Sequence, residues 1–412
     1  MRELGFAVVG VRNFADTHIR NIRSLEDDGI RLVGVVVKDQ IKNADRVAEL
    51  RRDGTKVFDS YDELLRDGHD SVDVIALPTS IHTHADMAVR AMEYGYDVLM
   101  EKPPTPTLEQ HDRIRDAVER TSQFCSIGFQ YIHSPTIRRL KEILVDGGIG
   151  DVQEIATKGY WPRTRSYYER NPWAGRQVYN GNLVLDGPVH NAFAHYLNNM
   201  LFLTGETVHE SASPDELVAE MYRAHTYIDS PDTTAVQLRT DTDVDVSFYV
   251  THAPEERVDP HMEITGTEGS VRWKQDGEQT RIEYEDGEVE TFDNEGNDPR
   301  IDVVRVAAER ARGDRDTLYC TPENTRGFVK AVNAAYRSAR QIHPIPEEYV
   351  SEFDTEDDEY RTVVEGMNDT LDTAFDERTL ISETGVDWGV ETQTIDVSSF
   401  DRFRPFSVNS EL

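Results

Sequence analysis

The chain of 412 residues is too long for one ordinary hydrophobic core, so two domains are expected. It carries 44 basic and 78 acidic residues, a net charge of −34, which argues against a nucleic-acid partner because so negative a surface repels phosphate. The longest apolar runs, Phe6 to Val9 and Leu32 to Val37, fall far short of the ~20 residues that cross a bilayer. No basic-then-apolar leader opens the chain, so a soluble cytoplasmic protein is expected. Cys125 and Cys320 have no metal-ligand spacing and suggest no disulfide framework, which suits a reducing compartment.

In chain order, the first part alternates short β-branched runs with amphipathic stretches, the signal for βαβ units and a parallel sheet. Strands are expected at Leu4–Val9, Arg31–Val37, Lys56–Phe58, Val72–Leu77, Asp97–Met100 and Phe124–Phe129. Helices are expected at Asp16–Asp28, Asn43–Asp53, Ser60–Arg66, His82–Tyr94 and Leu108–Arg120, the last opening on Thr107-Leu-Glu-Gln110, a capping box. This α/β rhythm predicts a doubly wound, dinucleotide-binding Rossmann domain over residues 1–125.

The rhythm then lengthens. Alternating segments at Val152–Trp161, Thr234–Leu238, Val244–Thr251, Met262–Ile264, Ser270–Trp273 and Arg281–Tyr284 predict a large, open, mostly antiparallel sheet with one face buried. Helical stretches at Val189–Leu203 and Asn324–Arg340 complete an α+β domain for substrate binding and oligomerisation over residues 126–345. An open sheet commonly buries itself against another copy, so a homo-oligomer, dimer or tetramer, is expected. Residues 346–412 read as an extension packing on the second domain and wrapping back as an extra edge element, with Val386-Asp-Trp-Gly389 and Phe400–Phe406 as its apolar parts. The acidic block Ser351–Glu359 reads as a solvated face.

Dinucleotide folds place a glycine-rich turn between the first strand and first helix, where backbone N–H groups and the helix N-terminus meet the pyrophosphate. Here the turn is Gly10-Val-Arg12-Asn13-Phe14-Ala15. Gly10 and Ala15 fit the outer positions of G-x-G-x-x-G/A, while Arg12 replaces the middle glycine and obstructs close approach unless its guanidinium contacts phosphate. A plain strand-to-helix turn is an equal reading. After the second strand Lys38 stands near the site where NAD-preferring folds carry an acid, which leans toward the 2′-phosphate of NADP. A shift of two residues would let Asp39 serve NAD instead.

Downstream come Pro78-Thr79-Ser-Ile-His82, Glu101-Lys102-Pro103 and Gly266-Thr-Glu-Gly-Ser270. In order and spacing these resemble the glucose-fructose oxidoreductase and inositol dehydrogenase family, Gfo/Idh/MocA, over residues 4 to 340. The resemblance implies an NAD(P)-dependent oxidoreductase acting on a sugar, polyol or sugar acid, with Pro78, Thr79, His82 and Glu101 at the cofactor and Lys102 beside the nicotinamide and substrate carbinol. Taking hydride from an alcohol also requires a proton to leave, and a lysine with a burial-lowered pKa serves that transfer. The family's aspartate and, four residues on, histidine match Asp186 and His190, implying an acid/base and its orienting carboxylate. Phe193 replaces the family's last acid. A capping carboxylate or a satisfied core histidine is the alternative for this pair.

The stretch from Tyr160 to Arg176 is dense in aromatics and arginine. Aromatic faces pack on sugar C–H surfaces and arginine forks bind hydroxyls or carboxylates, so Trp161, Arg163, Arg165, Tyr168 and Asn191 are substrate candidates. A structural loop using arginine because lysine is scarce explains the same residues. No metal is expected, since His82, His84, His190 and His195 lack acidic or cysteine neighbours of ligand spacing. Two other functions are open: redox-assisted elimination of a glycosidic group with tightly held NAD, and a non-catalytic sugar sensor or partner protein on the same fold. The acid excess with only eight lysines resembles proteins of salt-accumulating organisms.

Overall fold

The computed structural model describes residues 2–294, 298–355 and 359–403. The predicted terminal segment Phe400–Phe406 lies outside them beyond Phe403, as do residues 356–358 of the acidic block. Two compact units form, one from the described residues of 1–105, 110–134 and 296–325, the other from 106–109, 135–295 and 326–412.

The first unit carries β1 (Leu4–Val9), α1 (Phe14–Arg23), β2 (Ile30–Val36), α2 (Ala44–Arg52), β3 (Lys56–Phe58), α3 (Tyr61–Asp67), β4 (Val74–Leu77), α4 (His84–Glu93), β5 (Asp97–Met100), most of α5 (Leu108–Thr121) and β6 (Cys125–Ile127). Its six-stranded parallel sheet has the order β3-β2-β1-β4-β5-β6, with the reversal between β1 and β4. β1 and β4 are nearly continuous apolar runs because helices cover both faces of such a sheet. The first helix begins at Phe14, two residues earlier than the sequence pattern predicts, because Gly10 (φ 107°) and Asn13 (φ 54°) turn the chain sharply into it. It also ends earlier, at Arg23. A 3-10 turn follows over Glu26–Asp28, closed by Gly29 in the left-handed region.

The second unit opens with α6 (Pro135–Val145), β7 (Val152–Tyr160), α7 (Arg165–Glu169), a small hairpin of β8 (Val178–Tyr179) and β9 (Asn182–Leu183), and α8 (Ala194–Leu203). There follow β10 (Pro214–Arg223), β11 (Thr233–Thr240), β12 (Asp245–Thr251), β13 (Val258–Gly266), β14 (Gly269–Lys274), β15 (Gln279–Tyr284) and β16 (Val289–Asp293). After these the chain adds α9 (Pro299–Arg312), α10 (Pro322–Ala339), β17 (His343–Pro344), β18 (Val350–Asp354), β19 (Tyr360–Val364), α11 (Met367–Glu377) and β20 (Ile395–Asp396).

The large sheet runs β16-β15-β14-β13-β7-β12-β11-β10-β17, with β20 also on β10. It is antiparallel except for β7 with β12 and β10 with β17. β10 is absent from the sequence expectations: its Pro-Asp-Glu-Leu-Val-Ala-Glu-Met-Tyr-Arg is rich in helix formers, and pairing with β11 overrides local propensity. α9 belongs to the first unit, where Val303, Val304, Val306, Ala307 and Ala308 share a core with β1, α1 and β2. The predicted boundaries place these residues in the second domain; their apolar face instead completes the first core. The sheet face on which a second copy is expected is occupied by residues of this chain between Ile345 and Trp388.

Candidate active site

In the first unit the elements converge at the carboxyl ends of β1, β4 and β5, beside the reversal of strand order where doubly wound sheets bind ligands. Gly10 is needed for its φ, and a Cβ there would stand 3.3 Å from the Ala15 Cβ. Asn13 makes no side-chain cap on α1, and Phe14 is 42% exposed on its first turn. Arg12 reaches across to the loop after β2, donating to Asn43 Oδ1 and the Lys42 carbonyl at 2.8 Å. Asp39 accepts from the Lys42 N–H at 2.9 Å, so its carboxylate closes the turn after β2, while Lys38 is exposed on that loop.

Glu101 directly follows β5 with both oxygens engaged: Oε1 meets His18 Nε2 of α1 at 2.8 Å, and Oε2 accepts the Lys102 backbone N–H at 3.1 Å. His18 is buried and lies edge-on to Phe14. One carboxylate therefore ties the first helix to the strand end that presents Lys102. The loop after β4 is tied to the same place by fully buried His84. Its Nε2 meets the Thr79 carbonyl at 3.1 Å and its Nδ1 the Pro103 and Pro104 carbonyls at 3.0 and 3.2 Å. Burial lowers the pKa of His84 despite these carbonyls, and burial likewise lowers that of partly buried His82. Pro78, Thr79, His82, Glu101 and Lys102 thus stand on two coupled loops. The roles of His18 and His84 were not legible in the sequence, because each acts on a partner 15 or more residues away with no motif to announce it.

In the second unit Asp186 is a hub. Its carboxylate accepts from Gly175 N–H (2.7 Å), Asn191 Nδ2 (2.6 Å) and Arg170 Nη2 (3.2 Å), and only 3% of it is exposed. It fastens the 170–176 loop to the π-helical turn Pro188–Ala192. On that turn His190 is fully buried and donates from Nδ1 to the Leu185 carbonyl at 3.1 Å. In the neutral ring this hydrogen bond makes Nε2 the basic atom. Asn191, a substrate candidate, spends its amide on Asp186. Phe193, in place of an acid, stacks on Trp161 at 4.4 Å.

The aromatic stretch divides in two. Trp161 donates from Nε1 to Asp259 at 2.6 Å, and Arg163 lies over the Trp161 and Tyr167 rings. Arg165 and Tyr168 instead line an open cavity of about 590 Å³ with Asn171, Arg176 and Tyr227. Arg165 sits over Tyr227 and Tyr360, each 4.9 Å from its guanidinium carbon. Beneath the cavity Tyr168 shares a hydrogen bond with His252 Nδ1 at 3.1 Å and packs on His225. His225 Nδ1 pairs with Asp232 at 2.7 Å, and neither residue is exposed. Burial pushes the Tyr168 hydroxyl pKa well up and that of His252 well down, the latter aided by Arg163. His225, Asp232 and His252 gave no sequence signal; strand pairing between β10, β11 and β12 brings them together.

A parallel sheet with a glycine turn at a helix N-terminus, joined in one chain to a large mixed sheet, defines the class of two-domain dinucleotide-binding proteins. Within that class the assignment is direct. Residues 4–129 match the oxidoreductase family with the NAD-binding Rossmann fold and residues 137–272 match the GFO/IDH/MocA C-terminal domain, so the chain belongs to the Gfo/Idh/MocA family. Among curated relatives, scyllo-inositol 2-dehydrogenase (NAD(+)) of Bacillus subtilis is 32% identical over 195 residues, 46% of this chain and 53% of that one. dTDP-3,4-didehydro-2,6-dideoxy-alpha-D-glucose 3-reductase of Actinomadura kijaniata is 29% identical over 149 residues, 36% and 44% of the two chains. The chain spans about half or less of the curated relatives it matches. The WlbA dehydrogenase of Bordetella pertussis, solved with NADH and UDP-GlcNAcA, shares the fold at TM-score 0.67 and 20% identity, covering 82% of this chain and 97% of that one.

Proposed function

We propose that the protein is an NAD(P)-dependent oxidoreductase that moves a hydride between nicotinamide and a carbinol of a sugar, polyol or sugar acid, with Lys102 and His190 handling the proton. The observation that carries this reading is the Glu101–His18 link, which fixes the strand end bearing Lys102 to the helix whose N-terminus follows the glycine turn. Gly10, Asn13, Phe14 and Ala15 fit a pyrophosphate at that N-terminus, since the turn has no side chain on Gly10 and no side-chain cap on α1. The bound nicotinamide supplies hydride acceptance or donation. Lys102 Nζ and His190 Nε2 take or return the hydroxyl proton. Asp186 acts as a positioning residue, holding Asn191 and the turn that carries His190. Lys38 and Lys42 on the loop after β2, with Arg12 reaching onto that loop, favour a 2′-phosphate and therefore NADP over NAD. Arg165 and Arg176 at the cavity rim, with Tyr168 and Tyr227, suit a sugar acid. The relatives that act on inositol and deoxysugars support the substrate class.

Titration of the protein in multimolar KCl with NADPH and NADH separately, followed by reduced-nicotinamide fluorescence, tests this reading. Tighter binding of NADPH is expected. Failure of folded protein to bind either would remove the oxidoreductase assignment.

A further inference from the structure

The large sheet has two sides, and the register of its strands shows which residues share each one. On one side, β10, β11, β12 and β7 present Tyr222, Ala235, Tyr249, Ala156 and Tyr160, and these form a single core with Met367, Leu371, Ala374 and Phe375 of α11 and with Leu380, Ile381 and Trp388. The same side continues across β14 and β15 as Arg272, Lys274, Arg281 and Glu283, where no helix of the described residues covers it. One face is therefore buried, with its charged groups paired, where residues after 345 lie on it, and carries exposed charge where they do not.

The contact is also specific in its polar groups. Asp372 of α11 takes Lys158 Nζ at 2.7 Å and the Tyr160 hydroxyl at 2.8 Å. Arg378 bridges Glu154 (2.7 Å) and Glu263 (3.0 Å) while its carbonyl accepts from Gln237 at 2.7 Å. Glu220, wholly buried on β10, is satisfied by the Tyr222 hydroxyl, the Ser382 N–H (3.0 Å) and the Ser382 hydroxyl. A buried carboxylate stripped of such partners is costly, so this face is built for these residues. Beyond the apolar contact β20 pairs with β10 and closes that edge. The outward side of α11 carries exposed Asp369, Asp376 and Glu377 and offers no apolar surface.

We infer that the described residues between 345 and 403 are a built-in second layer that takes, within one chain, the sheet face on which an open sheet would seat a second copy. The protein does not self-associate through this face. The structural relative matched over 97% of its own length covers only 82% of this chain, and the matched family domains end at residue 272, so this chain has the extra length such a layer requires.

A cysteine pair at Glu216→Cys and Asp396→Cys tests this, because these exposed residues are direct cross-strand partners on β10 and β20, while native Cys125 and Cys320 are buried. Under mild oxidation the expected product is a disulfide closed within one chain, running as a monomer on denaturing gels without reductant. A disulfide-linked dimer would show that the segment is exchanged between copies and overturn the inference, as would no disulfide at all in folded protein. Hydrogen exchange of the unmodified chain in multimolar KCl supplies an independent measure. Protection of α11 and of β7 and β12 should not change with protein concentration; a gain at high concentration on this face would also overturn it. In the variant Trp388→Asp, which removes an apolar anchor packed edge-on to Tyr222, the expected result is concentration-dependent association that the parent chain lacks.

Discussion

Each unit places an acid beside a candidate proton carrier, and the two acids are built differently. Glu101 touches one buried histidine and the N–H of the next residue, and its side chain keeps 12% of its surface. Asp186 takes three donors from two separate stretches of chain and is almost wholly buried. The first acid aims a local motif. The second assembles a loop, so damage there should spread to folding, whereas damage beside Glu101 should stay in the chemistry.

The largest expected effect on turnover separates these cases. Lys102→Ala should lower kcat by about a hundredfold to ten-thousandfold, the usual contribution of a positioned acid or base, with cofactor affinity and unfolding midpoint unchanged. Stopped-flow turnover alongside fluorescence titration measures both, and normal turnover would sink the assignment of Lys102. Asp186→Ala comes next. It strands the buried Gly175 N–H and takes an acceptor from Asn191 and from surface Arg170, so a loss of about 2 kcal/mol in denaturant stability is expected together with reduced kcat/KM. If stability held while turnover fell, Asp186 would have to touch substrate rather than position the loop.

This contrast also explains what was legible in the sequence. The first unit's strands announced themselves because helices on both faces force near-continuous apolar runs, and Glu-Lys-Pro is contiguous. Its strand ends fell within a few residues of expectation. The sugar-side stretch showed its composition but not its division, since whether an arginine lines the cavity, as Arg165 does, or lies against Trp161, as Arg163 does, depends on contacts with β12 and β19. β10 was hidden by helix-forming residues, and α9 by a return to the first core that no local pattern records. Phe193 looked like a lost acid; in the structure it is the stacking partner of Trp161.

A smaller effect tests the cofactor side alone. Lys38→Ala should weaken NADPH binding about tenfold, the equivalent of ~1.4 kcal/mol, and leave NADH binding nearly unchanged. Equal weakening of both would mean that Lys38 acts through general charge and not through a 2′-phosphate.

The last prediction concerns stability, with no change in turnover expected. Lys141 of α6 is buried, donates to the Phe202 and Gly205 carbonyls at the end of α8, and burial pushes its pKa down from 10.5 to about 7. A lowered lysine pKa is commonly taken as a mark of catalysis, but here the side-chain nitrogen caps a helix C-terminus by donating to its last carbonyls. Because the folded-state value lies below the unfolded one, protonation favours the unfolded chain. Stability from this group is therefore fully present above about pH 10.5 and is lost as pH falls toward 7, by at most ~1.4 kcal/mol per pH unit. Lys141→Met removes the titrating group along with the two hydrogen bonds. Its stability relative to the parent should thus be lowest at high pH and improve steadily as pH falls to 7, as read from denaturant unfolding at each pH. A difference independent of pH would mean that the Lys141 ammonium is as stable inside the fold as in water.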